Sequence, residues 1–164
     1  MFGRLFSKNK QTAASAPPWQ ETPEDFVRML GRVPLFLDLS RRELQRLGAT
    51  CRQRQYGASE VLMRQGDPGA GLFIIMSGRV KIDHLQADGT VQEIRTEDPG
   101  EVIGEMSLLD DLPRSATVTA LEPTRVLQVP IFDFRAALRE DADISIKLLA
   151  VLSRRLRQAE SRQI

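Results

Sequence analysis

The stretch GEVIGEMSLLDDLPRSATVTA, Gly100 to Ala120, decides how the rest of this chain is read. An acid, Glu105, directly follows Gly104, and Arg114 comes nine residues later, behind a proline and ahead of a β-type run. Gly104 has no Cβ, so backbone and ligand can approach closely there. The segment Glu105 to Leu109 suits a single helical turn, whose first N–H groups lack partners and attract an anion. Met106 and Ser107 then contribute backbone N–H groups, and their side chains are expected to matter less. Arg114 adds a planar, permanently charged fork suited to phosphate oxygens. A carboxylate beside a phosphate repels it, so Glu105 makes sense if it accepts hydrogen bonds from hydroxyls, such as those of a ribose. Glu105 and Arg114 thus fit a nucleotide clamp, and taken alone they fit a plain ion pair at a barrel edge better still, since structural ion pairs are common.

Outward from this stretch, short strand-like runs alternate with turn signals. Strands are expected over 52–56, 60–64, 72–76, 79–84, 90–96, 114–121 and 124–129. Gln65 to Gly71, with three glycines, an aspartate and a proline, reads as a loop. Asp88-Gly89 is a hairpin signal. Close, even spacing of this kind predicts a mainly β fold over about 50–129, a small barrel or a jelly-roll-like sandwich.

Helical patterns flank it. Thr22 can cap a helix with Pro23 at its first position, and Phe26, Met29 and Leu30 share one face. Pro34 breaks that helix. Ser40 with Glu43 forms a capping box for a second, which Gly48 ends. After Pro130 come Phe132 to Arg139 and then a longer helix from Asp143, carrying Ile144, Leu148, Val151, Leu152 and Leu156 on one stripe. That stripe can pack on the barrel or pair with a second copy. Residues 1–21, which include the Ala/Ser/Pro-rich stretch Gln11 to Pro18, are expected to be a flexible tail, and 22–164 one domain. The start, MFGRLFSKNK, reads as a frayed tail or as a weak amphipathic membrane contact.

Composition narrows the classes. The chain has 164 residues, with 23 basic against 22 acidic ones, which gives no electrostatic ground for general nucleic-acid binding. Cys51 is the only cysteine, so no internal disulfide and no Cys-rich metal site can form. His84 is the only histidine and reads as a surface or edge residue. No run approaches the ~20 apolar residues of a membrane span. A cytoplasmic protein without metal, cofactor or catalysis is expected.

The quoted residues resemble those of cyclic nucleotide-binding domains, as in bacterial catabolite-activator regulators, protein kinase A regulatory subunits and cyclic nucleotide-gated channels. The resemblance runs from Thr22 to about Arg157, and it implies a mainly β fold with flanking helices: a jelly-roll-like β-barrel (a double-stranded β-helix) over about 50–129, N-terminal helices, and a C-terminal hinge and lid helix. It includes VPLF before the second helix, QGDPGAGLFIIMSGRVKI across the early strands, and IGEMSLLDDLPRSATVTAL, which is similar to the family's phosphate-binding cassette without a gap. It implies that Glu105 holds the ribose 2′-hydroxyl, that Arg114 pairs with the cyclic phosphate, and that Gly104, Met106, Ser107 and Ser115 line the sugar-phosphate. It further implies that Leu108 reports occupancy to a hinge at Phe134, and that the last helix is a lid over the base.

Departures qualify the ligand. Ile103 stands where many relatives have an aromatic residue. Ser115 resembles the cAMP-responsive pattern, so cAMP is expected ahead of cGMP. The last helix carries no aromatic residue, so the lid contact is expected to be aliphatic, at Leu148 or Leu152, or a basic stem at Arg154 or Arg155. The resemblance implies a non-catalytic sensor that signals through its C-terminal helices to an unknown protein effector. Alternatives are a ligand-independent scaffold of the same fold and a sensor of another cyclic nucleotide. The family's DNA-binding members add a helix-turn-helix, for which a chain stopping at Ile164 leaves no room, so direct DNA contact is not expected.

Overall fold

The computed structural model describes residues 21–161. The expected tail therefore lies, but for Glu21, outside the described residues. Glu21 itself accepts a hydrogen bond from Arg125 Nη1 at 3.0 Å.

Two short helices open the described chain, α1 (Pro23–Leu30) and α2 (Arg41–Gly48), separated by a 3₁₀ turn at Pro34–Phe36. Both begin as their sequences require. Thr22 Oγ1 accepts from the Asp25 N–H at 3.3 Å, while Asp25 accepts from the Thr22 N–H at 2.8 Å. Ser40 and Glu43 reciprocate in the same way at the start of α2. Each box satisfies donors that the first turn cannot satisfy internally.

Eight strands follow: β1 (Arg52–Tyr56), β2 (Val61–Met63), β3 (Gly71–Ser77), β4 (Val80–Leu85), β5 (Val91–Glu97), β6 (Val102–Ile103), β7 (Thr117–Ala120) and β8 (Thr124–Pro130). Their pairing is antiparallel and nested: β4 with β5, β3 with β6, β2 with β7, β1 with β8. One long hairpin, with its tip at Asp88-Gly89, is thus wound on itself. The result is two four-stranded sheets, β1-β8-β3-β6 and β2-β7-β4-β5, in the expected jelly-roll arrangement. At the tip the Gln86 N–H bonds the Thr90 carbonyl at 2.8 Å, and Gly89 takes φ 86°.

Strand β3 shows why the fold has two cores. Phe73 and Ile75 point between the sheets, with Val80, Ile82, Ile103, Val118 and Val126. Leu72 and Ile74 point the other way, into a cluster built by the helices. A strand buried on both faces reads as a continuous apolar run, which LFII does. Between β6 and β7 lies a single short helix, α3 (Met106–Asp110), which ends at Asp111 with φ 61°.

Helices α4 (Ile131–Glu140) and α5 (Ala142–Ser161) return over the outer face of the first sheet. Phe36 of the 3₁₀ turn meets Phe134 of α4 with ring centroids 6.3 Å apart and planes tilted by 60°. Ion pairs fasten α2 to the C-terminal helices. Lys147 donates to Glu43 at 2.8 Å, and Arg46 donates to Glu140 at 2.7 Å and to Asp141 at 3.3 Å. Of the expected α5 stripe, Ile144, Leu148 and Val151 are buried and Leu152 packs beside them, while Leu156 is exposed. Leu156 belongs instead to an outer row with Ile146 and Leu149, all three exposed. The sequence pattern merged these rows because both recur at helical spacing. Among the described residues no helix is long and apolar enough to cross a membrane.

Candidate ligand-binding site

The cassette folds around Arg114. Its backbone is gripped from both sides: the Arg114 N–H bonds the Asp67 carbonyl at 2.9 Å, and the Gly66 N–H bonds the Arg114 carbonyl at 2.9 Å. The loop 65–70 is therefore a cradle for the arginine. The side chain is 5% exposed. Nη1 donates to the Gly104 carbonyl at 2.6 Å and to Ser107 Oγ at 2.7 Å, and Nη2 donates to the Gly71 carbonyl. All three acceptors are uncharged. Burial lowers the guanidinium's proton affinity, and the negative charge of Glu105 opposes that shift. A buried cation held by neutral oxygens is poorly compensated, and an arriving anion would relieve it.

Gly104 has φ 79° and no room for a side chain: a Cβ there would lie 2.4 Å from Arg114 Nη1. Two independent constraints thus require glycine at this position. Ser107 is held just as tightly. It is 5% exposed, and a Cβ on Gly69 would sit 2.5 Å from its hydroxyl. The expectation that the Ser107 side chain matters little is corrected here, because its hydroxyl is a ligand of the Arg114 fork. The residue type carried no signal for that role, since the contact spans the helix and the following loop.

A cavity of about 210 Å³ opens in front of these groups. Gly104, Glu105, Met106, Ser107, Arg114 and Ser115 all line it, so the structure gathers the six residues expected from the sequence. It also brings Met63, Ile82, Ile94, Arg95, Ala116 and Val118 to the wall. Sequence reasoning missed these. Ile82 pairs with Arg95 across β4 and β5, just before a register shift at Asp83, and that bulge hides which alternate residues face inward. His84, the lone histidine, bonds the Ser115 carbonyl through Nδ1 at 2.8 Å and so helps hold the cavity's edge.

The hinge and lid residues are placed elsewhere. Leu108 is 1% exposed and packs with Phe134 and Leu148 in the helix-side core. Leu148 and Leu152 do not line the cavity; they border a narrow seam with Leu35, Phe134 and Glu105. Arg154 ion-pairs with Asp38. Glu105 therefore stands between the cavity and the packing of α4 and α5. A second link is Arg135 of α4, which donates to the Leu108 carbonyl at 3.1 and 3.0 Å and also reaches Asp111. Cys51 is buried, and that burial, with a smaller push from Asp133, raises its thiol to about 12, which disfavours the reactive thiolate. Among the described residues no cluster of His, Cys, Asp or Glu could hold a metal ion.

Residues 53–141, more than half of the chain, match the model of the cyclic nucleotide-binding domain. The chain belongs to the cyclic nucleotide-binding domain family. A cyclic AMP receptor protein from Thermus thermophilus is 35% identical over 127 residues, 77% of this chain and 59% of that protein. The chain thus spans about 59% of that relative's length. The solved N-terminal domain of a transcriptional regulator from Streptomyces coelicolor superposes with a TM-score of 0.72 at 32% identity, covering 83% of this chain and 95% of that one. The regulatory domain of protein kinase A from Toxoplasma gondii, solved with cAMP, superposes with a TM-score of 0.66 at 30% identity, covering 70% and 44%. This family member is accordingly a regulatory-type nucleotide-binding domain.

Proposed function

We propose that the chain is a non-catalytic cyclic nucleotide sensor, with cAMP as a ligand. Arg114 pairs with the cyclic phosphate, Glu105 accepts from the ribose 2′-hydroxyl, and Gly104, Met106, Ser107 and Ser115 line the sugar-phosphate. The observation that carries the reading is the Arg114 guanidinium, buried at the cavity wall and hydrogen-bonded, among the described residues, to three uncharged oxygens. A phosphate would bring a negative charge within hydrogen-bond reach of this cation, through bonds of ~1.5–3 kcal/mol each. The cAMP named for two of the relatives adds support, as does serine at position 115.

The output reading rests on what touches Glu105 and Leu108. A ligand that draws Glu105 and α3 toward the cavity pulls on the Leu108–Phe134 packing and on the Arg135 bond. Helices α4 and α5 then move, and a protein partner reads that motion. In this arrangement Leu148 and Leu152 reach the base only after α5 shifts.

Thermal denaturation with and without ligand tests the proposal. At about 100 times its Kd a nucleotide adds about 2.7 kcal/mol, or roughly 5–10 °C in Tm for a domain of this size. cAMP is expected to give that shift and 5′-AMP is not. An unchanged Tm at millimolar cAMP and cGMP would favour the ligand-independent scaffold.

A further inference from the structure

Strand β7 begins at Thr117, opposite Asp83 of β4. Leu85, the last residue of β4, turns its N–H and C=O to that same side, just past the point where β7 starts. Gln65 fills the place. Its carboxamide accepts from the Leu85 N–H at 2.7 Å and donates to the Leu85 carbonyl at 3.0 Å. Its own N–H donates to Thr117 Oγ1 at 3.1 Å. A carboxamide carries the donor and the acceptor of a peptide group, so Gln65 continues the ladder with a side chain. The next two residues, Gly66 and Asp67, are the ones that bond both backbone groups of Arg114. On the other flank His84, beside Leu85, bonds the Ser115 carbonyl. The end of β4 thus brackets Arg114 from both sides, and one leg of the bracket is a single side chain. Burial does little to hold that leg, since Gly66, Asp67, Pro68 and Ala70 are all exposed.

We infer that Gln65 is a positioning residue for the phosphate site, acting on the ligand through the seat of Arg114. The inference rests on the cyclic nucleotide reading above. Gln65 itself lies outside the cavity lining, so it makes no contact with a ligand there. A planar fork must meet phosphate oxygens in a set direction, and it is aimed only as well as its backbone is held. A supporting group that lets such a fork drift by a fraction of an ångström weakens binding without touching the ligand. Gln65 supplies that support by tying the 66–67 backbone to a strand that is itself paired on both sides, with β5 and β7.

A double-mutant cycle read by titration calorimetry with cAMP tests this. Its four chains are the native one, Gln65→Met, Arg114→Lys and the two changes together, with circular dichroism to establish that each is folded. Gln65→Met keeps the length of the side chain and removes both bonds to Leu85. Gln65→Glu, which keeps an acceptor and loses the donor, carries the test if the methionine variant does not fold. In the native background either change is expected to weaken cAMP about fivefold to tenfold. In the Arg114→Lys background the same change is expected to cost less than about twofold, because a point charge on a flexible stem needs no such aim. Equal losses in the two backgrounds would mean that Gln65 acts on the fold at large, and would overturn the inference. So would native affinity in folded Gln65→Met with only its Tm lowered, the result expected if the carboxamide just ties down a loop. A native chain that does not bind cAMP overturns the sensor reading as well, which keeps the two failures apart.

Discussion

Gly104 is the residue on which the site turns most sharply. Its positive φ and its distance to Arg114 make alanine doubly unfavourable there: the backbone costs ~1–2 kcal/mol, and the added methyl displaces the fork. Gly104→Ala is therefore expected to lower the stability modestly and the cAMP affinity about tenfold or more, as one charge-assisted bond is lost. Calorimetry on the folded variant measures it. Full affinity would mean that the Arg114 fork does not need its present seat. Arg114 and Glu105 were legible in the sequence because their chemistry is unusual beside glycines. Ser107 was not, because its role depends on a contact that fold-back alone creates.

Helix α5 is held by one pair that can be titrated. Burial works against the charge of Glu43, but hydrogen bonds from Lys147 and from Ser40 outweigh it and hold the carboxyl below its usual value of 4.5. The bond to Glu43 in turn raises Lys147. A carboxylate depressed in the folded state stabilises fully above its unfolded value and loses that contribution as pH falls through its folded one. Glu43→Gln keeps the capping box, since glutamine also serves at that position, and removes only the charge. It is expected to cost about 1–2 kcal/mol at neutral pH. The cost should shrink as pH drops below about 4.5, as seen in urea titrations of both proteins. A difference independent of pH would show that the pair does not fasten α5. Element by element, capping boxes, turns and most strands followed from the sequence, because local chemistry sets them. The 3₁₀ turn at Pro34–Phe36 and the two-residue strand β6 did not, since tertiary contacts alone define pieces so short. The two rows of α5 merged for a related reason: periodicity says which residues share a face, not what that face meets.

At the scale of the whole molecule, the long hairpin wound into two sheets brings residues 66–71, 104–107 and 114 to one point and leaves a cavity before them. The same winding sets β4 and β5 as the opposite wall and carries the helix-side core up to Glu105. The proposed binding and output thus share one connected region. The claim underlying both is that Arg114 seats a cyclic phosphate. It is tested most directly by titrating cAMP into the native chain and into Arg114→Lys and Arg114→Ala, with circular dichroism to establish that each is folded. The lysine variant guards against misfolding, because it keeps a charge at the site. The native chain is expected to bind, Arg114→Lys about tenfold or more weaker since a point charge cannot replace the fork, and Arg114→Ala weaker still. Undiminished affinity in folded Arg114→Ala would contradict the account.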